Sequence, residues 1–170
     1  VGSVKGAVVE TLAPLLEGRA LFVGSHPMAG SEKAGLTAAR ADLFQNAVCI
    51  VTPEEGRTPA LAEQRARAFW SALGGRVKSL SPEVHDRVCA LISHLPHVTA
   101  AALVNVVETV CPEAFGFCGA GFRDSTRVAA GLPTMWTEIL SSNRQAVAAG
   151  LRGLISVLED TAAHLEQGLE

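Results

Sequence analysis

From Ser81 to the end of the chain no strand pattern appears, whereas the residues before it hold two short apolar runs and a third short stretch of strand type. This break restricts the fold more than any other feature. Buried-strand runs must pair in a sheet, and a stretch with only helical periodicity must pack as helices. Gly2-Ser3 followed by Val4 to Leu16 predicts a helix, with Ser3 as N-cap and Val4, Val8, Leu12 and Leu15 on one face. Ala20 to Gly24 predicts a strand, and Asn46 to Thr52 a second, ended by Pro53. Pro59 to Leu73 predicts a helix with Ala62, Ala66, Phe69 and Leu73 on one face; Gly74-Gly75 stops it, and Arg76 to Leu80 reads as a third strand. The order α-β-β-α-β over residues 1–80 is that of the later half of an α/β sheet domain.

Residues 81–170 predict an all-helical domain. Ser81-Pro82-Glu83 is a helix start, and Val84, Val88, Leu91, Ile92 and Leu95 form an apolar stripe. Pro96 removes a backbone donor and clashes with the carbonyl of Ile92, which predicts a kink before the pattern resumes from Ala100 to Val110. Phe115 to Gly121 predicts a loop, Arg123 to Ala130 a short helix, Pro133 a further start, and Met135 to Leu165 the last helix. In that helix Leu151, Ile155, Leu158, Ala162, Leu165 and Leu169 are spaced as a heptad seam, which suits packing on its own domain and subunit contact equally. Stripe and seam together exceed what one small helical domain buries, so a homodimer is expected.

Charge and cysteine usage exclude other classes. A net charge of -3 provides no basic field for nucleic acid. No uninterrupted apolar run reaches the length of a membrane span, and no signal peptide is legible, so no membrane partner is expected. Cys49, Cys89, Cys111 and Cys118 are widely spaced and form neither a zinc pattern nor a disulfide framework. Reduced thiols in a cytoplasmic protein follow from that spacing.

The stretch Ser25 to Glu32 carries the chemistry. His26 follows the first apolar run, Pro27 keeps the strand from continuing as a central ladder member, and Gly30 lets the chain turn. An imidazole at a strand end beside a hydroxyl (Ser31) and a carboxylate (Glu32) suits proton transfer near neutral pH; a surface loop histidine is the plainer alternative. His85, His94 and His97 lie on one helical segment. His94 and His97, three apart, share a face and His85 points elsewhere, so no metal set is expected. One imidazole facing a polar cavity at the Pro96 kink, or histidines satisfied in the core, are the readings left. In Gly121-Phe-Arg-Asp-Ser-Thr-Arg127 the glycine allows close approach of a ligand. Asp124 is placed to hold the Arg127 guanidinium so that its fork meets a carboxylate; a solvated charged turn is the other reading.

In series, Gly2-Ser3-Val4-Lys5, His26 to Glu32, Ser93-His-Leu-Pro-His97, Gly121 to Arg127, Pro133-Thr-Met-Trp136 and Asn143 resemble prephenate dehydrogenases, in that family's order and over essentially the entire chain. The resemblance implies NAD- or NADP-dependent oxidative decarboxylation of prephenate (or arogenate) in tyrosine biosynthesis. It implies an α/β remnant of a Rossmann-type domain, residues 1–80, followed by an all-helical substrate-binding and dimerisation domain, residues 81–170, of the 6-phosphogluconate dehydrogenase C-terminal type. It also implies roles: His26 as the base on the ring hydroxyl and Ser3 as the residue that orients it. Arg127 would grip a substrate carboxylate with Asp124 and Glu32 near it. Ser31, His97, His94, His85, Gly121 and Trp136 would line the substrate site, and Ser3 and Met28 would lie against the cofactor. The dinucleotide fingerprint belongs far upstream of His26, where this chain has only twenty-five residues; Gly119-Ala-Gly121 follows no strand and is no substitute. The chain therefore reads as a C-terminal fragment, inactive when isolated. A non-catalytic dimerisation or ligand-sensing module that kept the substrate pocket is the alternative.

Overall fold

The computed structural model describes residues 2–30, 35 and 39–168. The chain divides into two compact units, Val1–Cys89 and Ala90–Glu170. The first holds helix α1 (Gly6–Leu16), strands β1 (Gly24–Pro27) and β2 (Val48–Thr52), helix α2 (Ala60–Ala72), strand β3 (Arg76–Ser79) and helix α3 (Pro82–Cys89). The sheet order is β1-β2-β3. β1 runs antiparallel to β2 with His26 opposite Ile50, and β3 is parallel to β2 with α2 as the crossover. Cys49 and Val51 of β2 and Trp70 of α2 form the core, with Val23, Phe44, Ala66 and Val77 packed on it.

Three expectations shift here. The first strand is Gly24–Pro27 rather than Ala20–Gly24, so His26 is a strand residue and not one beyond the strand's end. Leu21 of the apolar run is 47% exposed. Gly24 begins the strand because a Cβ there would run into Thr52 Oγ1 and the Lys5 side chain. Pro27 is tolerated because β1 is the end member of the described sheet and Pro27 is its last residue. The helix faces also differ: α1 buries Val9 and leaves Leu12 and Leu15 exposed, and α2 buries Ala62 and Trp70 and exposes Phe69 and Leu73. Finally, Ser3 is not the cap of α1. The N-cap position is Lys5, with no side-chain cap of its own, and a carboxylate from a distant helix takes that role.

The second unit opens on a π-helical turn (Ala90–His94) that leads into α4 (Leu95–Val110). The proline effect appears there. Pro96 sits in the first turn of α4, where its missing donor is tolerated, and a π turn precedes it. A 3-10 turn (Pro112–Phe117), α5 (Ala120–Thr126), a second 3-10 turn (Arg127–Ala130), α6 (Pro133–Ser142) and α7 (Arg144–Glu166) follow. Most of the expected Phe115–Gly121 loop is therefore helical. The expected long last helix is two, broken at Asn143, whose φ of -117° and ψ of 25° leave the helical range.

The apolar stripe is also corrected. The buried residues of α3, the π turn and α4 are Pro82, His85, Cys89, Ala90, His94, His97 and Ala100, while Leu91 and Ile92 are 55% and 61% exposed. Hydrophobic periodicity placed the aliphatic residues inside, and the fold places the histidines there. The helical run Pro82–Val110 carries a window of mean hydropathy 1.5, long and apolar enough to cross a bilayer by length and composition, a test that the core helix of a soluble protein also passes. Ile155, Leu158 and Leu165 of the heptad seam are exposed, and Leu169 lies outside the described residues.

Candidate active site

The first unit assembles a hydrogen-bonded chain behind His26. Asp86 Oδ1 lies 2.7 Å from His85 Nδ1, and His85 Nε2 lies 2.9 Å from His26 Nδ1. An ionised carboxylate can only accept, so the proton of that contact sits on His85 Nδ1. With one proton on each imidazole, His85 Nε2 is the acceptor and His26 Nδ1 the donor. The His26 lone pair is then on Nε2, the tautomer a base requires.

Asp86 is fixed from the other side. Its Oδ1 accepts the Lys5 amide at 2.7 Å and its Oδ2 the Gly6 amide at 2.8 Å, two of the donors that α1 leaves unsatisfied at its start. Burial pushes the Asp86 carboxyl up, but the hydrogen bonds from His85, Gly6 and Lys5 and the attraction of His85 outweigh it and hold the pKa below the ordinary carboxylate value. Lys5, fully buried, donates from Nζ to the carbonyls of Gly2 (2.6 Å) and Val4 (3.1 Å). Burial lowers its pKa against the attraction of Asp86 and Cys89. Cys89 Sγ lies 3.3 Å from His85 Nε2 and 3.8 Å from His26 Nδ1. Burial and the Asp86 charge push this thiol up to about 11, so it stays protonated near neutral pH.

His85 therefore does not point away from the chemistry; it is the direct partner of His26. Ser3 makes no hydrogen bond to His26 among the described residues, and its side chain is half-buried beside the start of α1. Met28 follows β1, half-buried, its amide donating to Val48 O at 2.7 Å. Ser31 and Glu32 lie outside the described residues.

The second unit builds a separate polar core. His97 stacks on Trp136 with ring centroids 3.6 Å apart and planes 6° from parallel, and its Nδ1 donates to Val128 O at 2.8 Å. Burial lowers the His97 pKa against that hydrogen bond, so the ring is neutral with its lone pair on Nε2. His94 meets Trp136 edge-on at 6.2 Å, and its Nδ1 lies 3.2 Å from Asn143 Nδ2, which donates to it. The break between α6 and α7 thus places Asn143 against His94. Gly131 makes room for the indole, because a Cβ there would run into Trp136 Nε1. Arg127 and Gly121 are exposed, and Asp124, also exposed, forms no ion pair among the described residues. The expected Asp124 brace on Arg127 is not formed.

Sequence reasoning missed Asp86, Cys89 and the working position of Lys5. One signal was available: an acid, Asp86, directly after the histidine His85 in the short helix α3. Two cavities, about 660 Å³ against the end of α1 and about 370 Å³ among Leu91, Leu95, Thr99, Leu103 and Leu154, include none of the expected site residues.

Comparison with known proteins divides the chain near residue 80, ahead of α3, and not after Cys89. Residues 1–79 match the family model of the prephenate dehydrogenase nucleotide-binding domain, and residues 81–169 that of the prephenate dehydrogenase dimerization domain. The chain is 38% identical to the prephenate dehydrogenase of Bacillus subtilis (strain 168), over 98% of this chain and 46% of that protein. It is 40% identical to the cyclohexadienyl dehydrogenase of Zymomonas mobilis, over 98% of this chain and 55% of that one. The solved prephenate dehydrogenase of A. aeolicus, in complex with hydroxyphenyl propionate and NAD+, superposes with a TM-score of 0.90 at 36% identity, covering 98% of this chain and 58% of that one. The chain thus spans about half the length of the curated relatives it matches.

Proposed function

The chain belongs to the prephenate dehydrogenase family, and on that premise we propose that it is part of an enzyme that oxidatively decarboxylates prephenate or arogenate with a nicotinamide dinucleotide. The observation that carries this reading is the Asp86–His85–His26 chain, which sets His26 in the base tautomer. Loss of hydride from the ring carbinol leaves a developing carbonyl, so the hydroxyl must give up its proton; His26 Nε2 takes it. The imidazolium that forms is stabilised through His85 by the Asp86 carboxylate, which keeps its charge because its pKa is held low. The family resemblance assigns Arg127 the carboxylate grip, Asp124 and Glu32 the acidic positions, and Ser31, Gly121, His94, His97 and Trp136 the walls. Loss of carbon dioxide to an aromatic ring supplies much of the driving force, so the protein's main work is placement.

A bound dinucleotide supplies the hydride acceptor. Among the described residues no strand runs through a glycine-rich turn into a helix of the kind that cradles a pyrophosphate. Ser3 and Met28 are its residues assigned to the cofactor. A homodimer through the helical unit is proposed on the exposed aliphatic residues of α4, α7 and the π turn. A reducing, cytoplasmic setting is proposed on four free thiols. The comparisons lend no support to a non-catalytic module.

The test is His26→Asn in the enzyme containing this chain. kcat falls by about 10² to 10⁴ with KM changed far less, and the acidic limb of the pH–rate profile disappears. A retained limb means that another group is the base.

A further inference from the structure

We propose that His26 Nδ1, His85 Nε2 and Cys89 Sγ form a binding site for a zinc-class divalent cation, and that its occupancy switches off His26 as a base. The three donor atoms already converge, with separations of 2.9, 3.3 and 3.8 Å. Tetrahedral zinc, with bonds of about 2.0 Å to nitrogen and about 2.3 Å to sulfur, spaces such atoms about 3.3 to 3.5 Å apart. The cluster needs adjustments of only a few tenths of an ångström. Two imidazoles and a thiolate select zinc, cobalt or cadmium over magnesium and calcium. Asp86 is the outer partner that such sites use, orienting His85 through Nδ1 so that Nε2 faces the ion. His85 and Cys89 are fully buried, and His26 is half-buried.

Binding moves two protons. The Cys89 thiol releases its proton to solvent as the sulfur–metal bond forms. His26 must present its Nδ1 lone pair to the ion, so its proton shifts to Nε2. That nitrogen becomes a donor and no longer accepts the proton of a substrate hydroxyl. The site itself stands on geometry, while its inhibitory consequence rests on His26 being the base.

Cobalt(II) is the probe for binding and zinc for inhibition. Chelator-treated protein takes up one equivalent of cobalt with a thiolate-to-cobalt charge-transfer band and four-coordinate visible bands, which zinc displaces and magnesium does not. Cys89→Ala abolishes the charge-transfer band, and Cys118→Ser keeps it. His26→Asn, at the half-exposed position, weakens cobalt binding at least about tenfold and serves if Cys89→Ala does not fold. No charge-transfer band in the parent protein, or one that survives Cys89→Ala, overturns the site. In the active enzyme, zinc inhibits the parent, and the zinc concentration for half-inhibition, taken relative to each protein's own zinc-free rate, rises at least about tenfold in Cys89→Ala; equal zinc sensitivity of the two overturns the switch. Cobalt binding without any dehydrogenase activity sinks the functional reading alone, and activity without cobalt binding sinks the site alone.

Discussion

His26 Nδ1 and His85 Nε2 face each other at 2.9 Å, with their ring planes inclined by 59°. The pair fixes which nitrogen of His26 carries the lone pair, and the decision is made by a residue fifty-nine positions later in the chain. His85→Gln tests this. The amide fills part of the site but can turn its NH2 toward His26 Nδ1, which puts the His26 proton on the wrong nitrogen. We expect kcat to drop by about 10- to 100-fold, below the cost of removing the base itself, with KM little changed. A rise in KM at constant kcat would show that His85 shapes binding and not the tautomer.

Asp86→Asn separates structure from chemistry. The carboxylate satisfies two amides of α1 and the His85 ring, so its loss should cost about 1–3 kcal/mol. The sign of the pH effect follows from the depressed pKa. The stabilisation is complete above the unfolded value near 3.8 and is lost as pH falls through the lower folded value. Urea midpoints of parent and variant should therefore differ most near neutral pH and converge in acid. A gap that stays constant down to about pH 2 would remove the charge from the account.

Much of this arrangement was legible in the sequence, and the reasons for the rest are physical. The break near Ser81, the βαβ pattern around α2 and the histidines worth naming all follow from periodicity and residue type. Hydrophobic periodicity misplaced the inward face of α3 and α4, because this protein buries imidazoles there and exposes Leu91 and Ile92. Ser3 was a reasonable cap by residue type, but a distant carboxylate outcompeted it. The His26–His85 contact pairs β1 with α3, and no local rule reports such a contact.

Gly131→Ala probes the second unit. The added Cβ meets Trp136 Nε1, so the indole must leave its stack on His97 or the backbone must move. Overpacking of this kind costs about 1–3 kcal/mol. In a Trp136→Ala background the same glycine change should cost under about 0.5 kcal/mol, since the obstruction is gone. Denaturation midpoints of the four proteins give the coupling, and strict additivity would show that Gly131 matters for another reason.

Assembly provides the last test. Leu91, Ile92, Val106 and Val110 are 55%, 61%, 56% and 77% exposed, and Ile155, Leu158 and Leu165 of α7 are 50%, 56% and 65% exposed. We propose that this aliphatic surface is a contact with another chain; the exposed side of the Leu91 segment is opposite in character to its buried histidines. A second copy is the expected occupant, because residues 81–169 match a dimerization domain. Burying an isoleucine side chain contributes about 1.5–3 kcal/mol, and replacing it by a charge adds the cost of desolvating that charge. Ile92→Glu and Ile155→Glu should therefore each weaken dimerisation by at least about tenfold. Leu61→Glu, a change at a 47% exposed position of the first unit, should leave it unaltered. Sedimentation across a dilution series reads all four proteins. A parent protein that is monomeric at tens of micromolar, or two glutamate variants as dimeric as the parent, would show that these residues face something other than a second copy.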